Sequence, residues 1–140
     1  MPLRLVPNFE ARLAKLLPAR GITVARWLGG TRASANLLLL TTSPTSTVLY
    51  VKESVSTPGF WGLTKNQLDR INKSEQRWFG VFLHQSATMG YLLSGGQIDL
   101  RIRETRIRLG KDGDYKINEF EQFMPANRFQ RLEELIQRIL

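Results

Sequence analysis

The chain has no cysteine, and His84 is the only histidine among its 140 residues. The absence of thiols excludes disulfide frameworks, thiolate metal ligands and cysteine nucleophiles. A single histidine also disfavours a zinc site built from several imidazoles and a histidine-dependent catalytic triad. His84 follows an apolar segment, and we interpret it as a hydrogen-bonded residue at the end of a strand.

Long apolar runs are missing as well. No segment reaches the roughly 18 apolar residues that a membrane-spanning helix needs. The first residues, MPLRLVPNF, lack the apolar core of a signal peptide. We therefore expect a soluble, cytoplasmic protein without a membrane partner.

Acidic residues are few, since 12 Asp and Glu stand against 20 Lys and Arg, which gives a net charge of +8. Such an excess favours polyanionic partners, with nucleic acid first, although a basic and merely solvated surface is an equal alternative. Hydrophobic residues make up 42% of the chain and charged residues 23%. These proportions and the length predict a single globular domain over residues 1–140.

Hydrophobic periodicity predicts a mixed order of helices and strands. A first helix over residues 8–20, capped by Asn8 and ended by Gly21, precedes three strands that we expect to form an antiparallel meander. The segments predicted next are a loop at 56–62, a helix at 64–72 with a capping box, and strands at 79–83 and 91–93.

The last third of the chain is less regular. Residues 97–102 fit a helix or a strand, residues 106–109 and 115–117 fit a hairpin, and Asn127 is placed to cap a helix over residues 128–140. An element order of this kind indicates an α/β fold in two or three layers around a mixed sheet.

Four local patterns within this order suggest a family. They are Asn8-Phe9-Glu10 at the first helix, the segment from Gly21 to Arg26, the Gly29–Ser34 loop before an apolar strand, and Leu49-Tyr50-Val51-Lys52. Together they resemble the PD-(D/E)XK nuclease superfamily, with the archaeal Holliday junction resolvases as its nearest branch. The resemblance implies a restriction-endonuclease-like mixed sheet flanked by helices, with a core at about residues 8–93. A β-rich extension and a C-terminal helix follow at about 97–140, and relatives of this kind form homodimers.

The resemblance also implies a catalytic set, from which this chain departs. Glu10 stands where the family has a metal-binding glutamate, and Lys52 matches its lysine. Asn36 stands where the family has aspartate, and Tyr50 where it has glutamate or aspartate. In such nucleases the two carboxylates hold Mg²⁺, which activates the attacking water. A neutral amide and a phenol are poor substitutes for carboxylate ligands, so we expect Mg²⁺ binding to be weakened.

The other position that the resemblance assigns lies in the Lys65-Asn66-Gln67 segment, where related nucleases place a basic or amide side chain near the scissile phosphate. Structural interpretations remain open beside the catalytic ones. Glu10 fits an ordinary first-turn acid, Lys52 a strand-end surface lysine, and Gln67 a capping residue.

Basic and aromatic residues supply candidate nucleic-acid contacts. Arg101 with Arg103, and Arg106 with Arg108, have the spacing of one strand face, which suits phosphate contacts or a charge-protected edge strand. Phe60 and Trp61 fit either stacking on bases or packing in the core. The predicted contact set is Arg26, Arg32, Lys52, Lys65, Arg101, Arg103, Arg106, Arg108, Phe60 and Trp61.

Three hypotheses follow. The leading one is a nucleic-acid-binding protein, with DNA favoured, on a nuclease-like scaffold whose catalytic machinery is lost or altered. The second is an active, Mg²⁺-dependent and structure-specific endodeoxyribonuclease that uses an irregular set such as Glu10, Glu53 and Lys52. The third is an interaction or structural subunit that does not bind nucleic acid and uses the aromatic loop or the C-terminal helix.

Overall fold

The computed structural model describes residues 5–29, 36–42 and 45–140. Its helices are α1 Leu5–Leu16, α2 Lys65–Lys73, α3 Gly95–Arg103, α4 Glu119–Gln122 and α5 Leu132–Ile139. Its strands are β1 Thr23–Arg26, β2 Leu37–Thr42, β3 Thr45–Ser54, β4 Phe60–Thr64, β5 Arg77–His84, β6 Gly90–Ser94, β7 Arg108–Leu109, β8 Asp114–Asn118 and β9 Arg128–Phe129. None of these helices has the length and apolar character needed to cross a membrane.

The main sheet is mixed and has the strand order β1-β2-β3-β5-β6-β9. Strands β1, β2 and β3 form the predicted antiparallel meander. Strand β5 then pairs in parallel with β3, from Thr47 opposite Arg77 to Ser54 opposite His84. A parallel partner needs a crossover connection, and the segment with β4 and α2 provides it.

A second, antiparallel sheet has the order β4-β8-β7. This sheet corrects two predictions, because Phe60 and Trp61 lie in strand β4 rather than in a loop, and strand β7 covers only Arg108 and Leu109. Gly59 and Gly62 made the segment resemble a loop. Its strand character comes from pairing with β8, which is more than 50 residues away. The predicted hairpin does form between β7 and β8.

Two apolar cores lie on opposite faces of the main sheet, because alternate side chains of a strand point to opposite sides. Leu49 and Val51 of β3 pack in the core beneath α1 and α5. Val48 and Tyr50 pack in the core shared with the second sheet, α2 and α3. Strand β3 is therefore buried on both faces, as a central strand is expected to be.

The ends of two helices differ from the prediction. Helix α1 begins at Leu5, so Asn8 lies inside it, and it ends at Leu16 before a 3₁₀ turn at Pro18–Arg20. Gly21 stops this turn with φ +74°, the left-handed conformation that favours glycine. At the other end, Asn127 accepts a hydrogen bond from the Met124 N–H (2.9 Å) and closes a 3₁₀ turn. The α5 helix therefore starts five residues later, after β9 has paired with β6.

The ambiguous segment at 97–102 belongs to helix α3. Ser94 and Gln97 form a capping box there: the Ser94 side chain accepts from the Gln97 N–H (3.1 Å), and the Gln97 side chain accepts from the Ser94 N–H (2.9 Å). Arg101 and Arg103 consequently lie on a helix and not on the strand face that their spacing suggested. The capping box predicted at residues 64–67 differs, because the Thr64 side chain makes no capping hydrogen bond.

Candidate functional site

Strand β3 carries the two residues that match the family's acid-X-lysine position. Tyr50 points into the core shared with the second sheet. Lys52, two residues further, shares this face by the alternation of strand side chains and lies opposite Phe82 of β5. The geometry of the predicted site is therefore set by strand β3 and by the second sheet and the helices that pack over this face of it.

Tyr50 is fully buried. Its hydroxyl oxygen accepts a hydrogen bond from the Thr64 N–H (2.9 Å), at the junction of β4 and α2. Burial raises the pKa of this phenol, although the Thr64 hydrogen bond opposes the shift. A phenol that stays neutral and is enclosed in a core cannot replace a metal-binding carboxylate.

Lys52 is only partly exposed. Burial lowers the pKa of its ammonium group, and the carboxylates of Asp114 and Glu53 oppose this shift. Asp114 also lies close enough to raise the pKa of Tyr50. A carboxylate from the second sheet is thus near enough to influence the charge of both Lys52 and Tyr50.

Glycine at position 62 makes room for that carboxylate. A Cβ added to Gly62 would lie 3.0 Å from Asp114 Oδ2. Asp114 was not among the predicted site residues. The sequence showed only a turn at Lys111-Asp112-Gly113-Asp114, and the pairing of Asp114 with Thr64 across the second sheet is what brings it here.

Asn36 lies at the start of β2, beside the middle residue of the motif. Its side-chain Nδ2 donates to the Val51 carbonyl (2.8 Å), and its own carbonyl accepts from the Val51 N–H (2.7 Å). These bonds hold the end of β2 to β3. They fit an amide better than the aspartate of the family motif, because a carboxylate has no N–H to give to that carbonyl.

The acids of the predicted alternative metal set lie on the α1 side. Glu53 Oε1 accepts from the Val6 N–H at the start of α1 (2.9 Å), and Glu10 pairs with Arg26 at 3.6 Å. The Glu53 side chain leaves β3 on the face opposite to that of Lys52. Within the described residues, no group of three or more His, Asp or Glu side chains could hold a metal ion.

The N-terminus of α2 is already occupied by the protein itself. The Thr64 N–H binds Tyr50 and the Lys65 N–H donates to the Gly113 carbonyl (3.1 Å), so neither is directed at a phosphate. The Lys65 ammonium is exposed and binds Asp69 at 2.7 Å, and that hydrogen bond raises the pKa of Lys65. Gln67 lies in the first turn of the same helix.

The two adjacent aromatic residues have different environments. Trp61 is 2% exposed, and its Nε1–H donates to the Leu83 carbonyl (2.9 Å) in a cluster with Phe82, Tyr91 and Phe123. Phe60 is 47% exposed on the outer face of β4. Of the pair, Phe60 alone presents a ring to solvent.

The candidate phosphate contacts are dispersed. Arg101 donates to the Gln122 carbonyl, and Arg26 is exposed beside Glu10. Arg103 is exposed at the end of α3, while Arg106 and Arg108 border a groove beside the second sheet. Arg32 lies outside the described residues.

A polar cluster that the sequence did not reveal joins His84, Tyr91 and Glu119. The Tyr91 hydroxyl donates to Glu119 Oε2 (2.5 Å), and His84 Nδ1 lies 3.4 Å from the same oxygen. Burial and this hydrogen bond raise the pKa of Tyr91 to about 12. Glu119 also accepts from the Gly59 N–H (2.9 Å), and His84 Nε2 lies 2.8 Å from the Ser56 carbonyl oxygen. The cluster therefore holds the connection between β3 and β4.

Comparisons with known proteins leave the family unassigned but support the fold. No protein-family model and no curated protein sequence matches the chain. A solved structure of Hjc, a Holliday junction resolvase from the archaeal hyperthermophile Archaeoglobus fulgidus, is similar with a TM-score of 0.51 and 12% sequence identity. The similarity covers 92% of this chain and 98% of that one. The fold is therefore the mixed α/β, restriction-endonuclease-like one that the resemblance implied, and the chain has a nuclease-like scaffold.

Proposed function

We propose that this chain is a nucleic-acid-binding protein on a nuclease-like scaffold, without the metal-dependent catalysis of that scaffold. The observation that supports this most directly is Tyr50. It stands where the family motif has a metal-binding carboxylate, and it is buried with its hydroxyl bound to the Thr64 N–H. Mg²⁺ prefers carboxylate and water ligands, so the Tyr50 side chain provides no ligand that could take the place of a water molecule on the ion.

The surroundings of Lys52 support the same proposal. Its ammonium group is partly buried and is influenced by the Asp114 carboxylate, and the Thr64 and Lys65 N–H groups at the N-terminus of α2 donate to Tyr50 and Gly113. A phosphate at this place would have to displace those two N–H hydrogen bonds and lose water next to a carboxylate, and both cost free energy. The binding surface is then expected on exposed cations and not at Lys52.

The charge of the chain supplies the attraction. A net charge of +8 favours a polyanion, and several of the predicted contacts have exposed side chains: Arg26, Lys65, Arg103, Arg106 and Arg108. DNA is the favoured polymer, because the similar Archaeoglobus protein is a Holliday junction resolvase. Assembly as a homodimer belongs to the same proposal, and light scattering measures it.

The test is a binding titration against duplex, single-stranded and four-way-junction DNA at several salt concentrations. We expect binding at low salt that weakens steeply as salt is added, with a log–log slope of about 0.9 for each phosphate neutralised on a duplex. Absence of binding to every polynucleotide at low salt would contradict the proposal and favour a protein-interaction role.

A cleavage assay on the same DNAs with Mg²⁺ or Mn²⁺ tests the catalytic part. We expect no metal-dependent cleavage. Cleavage that disappears in Lys52→Ala, and persists in the control Lys73→Ala at an exposed lysine outside the predicted contact set, would show instead an active endonuclease built around Lys52. Both variants remove one positive charge, so a difference in cleavage between them reports on catalysis and not on electrostatic attraction.

A further inference from the structure

A groove of about 750 Å³ lies beside the second sheet, away from Lys52. Strands β7 and β8 form one wall, and the turn after α3 and the short helix α4 form the others. The side chains that matter for its chemistry are Arg106, Arg108, Lys116, Asn118, Glu121 and Gln122.

The outer face of the second sheet continues this groove. Strand register places Arg108, Lys116 and Gly62 side by side, and places Phe60 opposite Asn118. The Lys116 ammonium group lies 5.8 Å from the centre of the Phe60 ring. An exposed aromatic ring therefore lies next to Lys116, one of the cations that line the groove.

Gln122 is the feature that points to a ligand. The residue is only 4% exposed, and its Nε2 donates to the Arg106 carbonyl (2.7 Å). Its Oε1 is buried and has no hydrogen-bond partner within residues 5–29, 36–42 and 45–140. An amide oxygen left in this state loses the hydrogen bonds it would make with water, so a donor that reached it from a ligand would stabilise it.

The three cations at the groove are not equally free. Arg106 pairs with Glu104 at 3.6 Å, and Lys116 pairs with Asp112. Arg108 donates to the Thr105 carbonyl (3.4 Å) and has no carboxylate partner in the described part of the chain. Arg108 is therefore the cation most available to an anionic group of a ligand.

These surroundings combine acceptors with donors. Glu121 and the Gln122 oxygen accept hydrogen bonds, while Arg108 and Lys116 donate them to anions. A nucleotide has the matching groups, since the base edge carries N–H donors and the phosphate is anionic. In a duplex the base faces are stacked and the pairing edges are occupied, whereas an unpaired nucleotide exposes both.

We propose that this groove binds an unpaired nucleotide of a single-stranded segment. Phe60 stacks on a base, the Gln122 Oε1 accepts from a base N–H, and Arg108 contacts an adjacent phosphate. This inference rests on the proposed nucleic-acid binding and names the form of nucleic acid that one surface recognises.

The experiment compares a fluorescently labelled 16-nucleotide mixed-sequence single strand with a blunt duplex of the same length, by anisotropy titration. We expect Phe60→Ala to weaken single-strand binding by about tenfold, because stacking of one base is lost. We expect Arg108→Ala to lower the log–log salt slope for the single strand by about 0.7, which corresponds to one phosphate contact. Duplex binding should change little in Phe60→Ala.

The matched controls remove similar groups elsewhere. Phe120→Ala deletes a ring that is 81% exposed but that, within the described residues, does not lie near a cation of the groove as Phe60 does, and Arg131→Ala deletes an exposed cation at the start of α5. If the Phe60 and Arg108 variants lose no more affinity than these controls, while the unaltered protein binds DNA, the groove proposal is wrong and the proposed function stands. If the unaltered protein binds no polynucleotide, both are wrong.

Nuclear magnetic resonance gives a second measurement on the unaltered protein. Addition of the unlabelled single strand should shift the side-chain amide signals of Gln122, because its oxygen gains a hydrogen bond. Shifts confined to other residues, with the Gln122 side chain unmoved at saturation, would overturn the proposal.

Discussion

The Lys52 site and the groove beside the second sheet contain similar chemical groups but differ in what satisfies them. At the Lys52 site the Tyr50 hydroxyl and the Thr64 and Lys65 N–H groups at the start of α2 have protein partners. At the groove, Arg108 forms no ion pair and the Gln122 oxygen has no donor within the described residues. Polar groups that are satisfied by the protein stabilise the fold, and those that are not are available to a ligand.

This contrast also separates neighbours along one strand. Trp61 and Phe60 are adjacent in β4, yet one is buried in the core and the other is exposed on the outer face of the second sheet. Their chemistry as aromatic side chains is nearly the same. The face of the strand therefore decides whether each contributes to stability or is free to bind.

The largest expected effect is a loss of stability when Trp61 is replaced, and it tests the difference between the buried and the exposed aromatic residue. Trp61→Ala should lower the free energy of unfolding by about 3–5 kcal/mol, because it empties a packed core and removes the hydrogen bond to the Leu83 carbonyl. Phe60→Ala should cost about 1 kcal/mol or less, because the ring is half exposed. Urea unfolding followed by circular dichroism measures both. Should Trp61→Ala fail to fold, Trp61→Phe provides the comparison, and equal losses in the Trp61 and Phe60 variants would contradict the assignment.

A smaller effect is expected at Tyr50. Tyr50→Phe removes the acceptor of the Thr64 N–H and leaves that group unpaired in the core, so the free energy of unfolding should fall by about 1–3 kcal/mol. Tyr115→Phe is the control, because its hydroxyl makes no hydrogen bond within the described part of the chain. If Tyr50→Phe and Tyr115→Phe lower the free energy of unfolding equally, the Tyr50 hydroxyl is not held in a buried hydrogen bond in solution.

The smallest effect is a pH dependence at Lys52. Burial lowers the pKa of this group in the folded protein below its ordinary 10.5. Between those two values the unfolded chain binds more protons than the folded one, so this group makes stability rise with pH. Lys52→Met should remove that slope, measured by urea unfolding between pH 7 and 10, while Lys65→Met should leave it. A slope that survives in Lys52→Met would show that the ammonium group is not buried.

Much of the architecture could be predicted from local patterns. The meander was predicted as strands at residues 22–27, 36–40 and 48–52 and is observed at Thr23–Arg26, Leu37–Thr42 and Thr45–Ser54, and the order of elements predicted the mixed sheet. The positions that failed depend on distant partners. Strand β4 forms because it pairs with β8. The helix predicted over residues 128–140 begins only at Leu132, because Arg128 and Phe129 pair with β6 as strand β9.

The candidate site shows the same division. The sequence indicated Tyr50, Lys52, Asn36 and Glu10 through their positions in a motif, and their roles stay predictions. It could not indicate Asp114, the His84–Glu119–Tyr91 cluster or the unpaired oxygen of Gln122. Each of these depends on contacts between residues that are far apart in the chain.

By itself, the sequence determined the charge of this protein, the continuous apolar run that suits β3 to a central position, and the presence of Asn36 and Tyr50 at two positions where the motif has acids. Those properties depend only on residue type and on the order of apolar and polar residues along the chain. Only the tertiary structure decided which polar groups are satisfied and which face solvent, since burial and hydrogen bonding are properties of pairs of segments that the sequence separates.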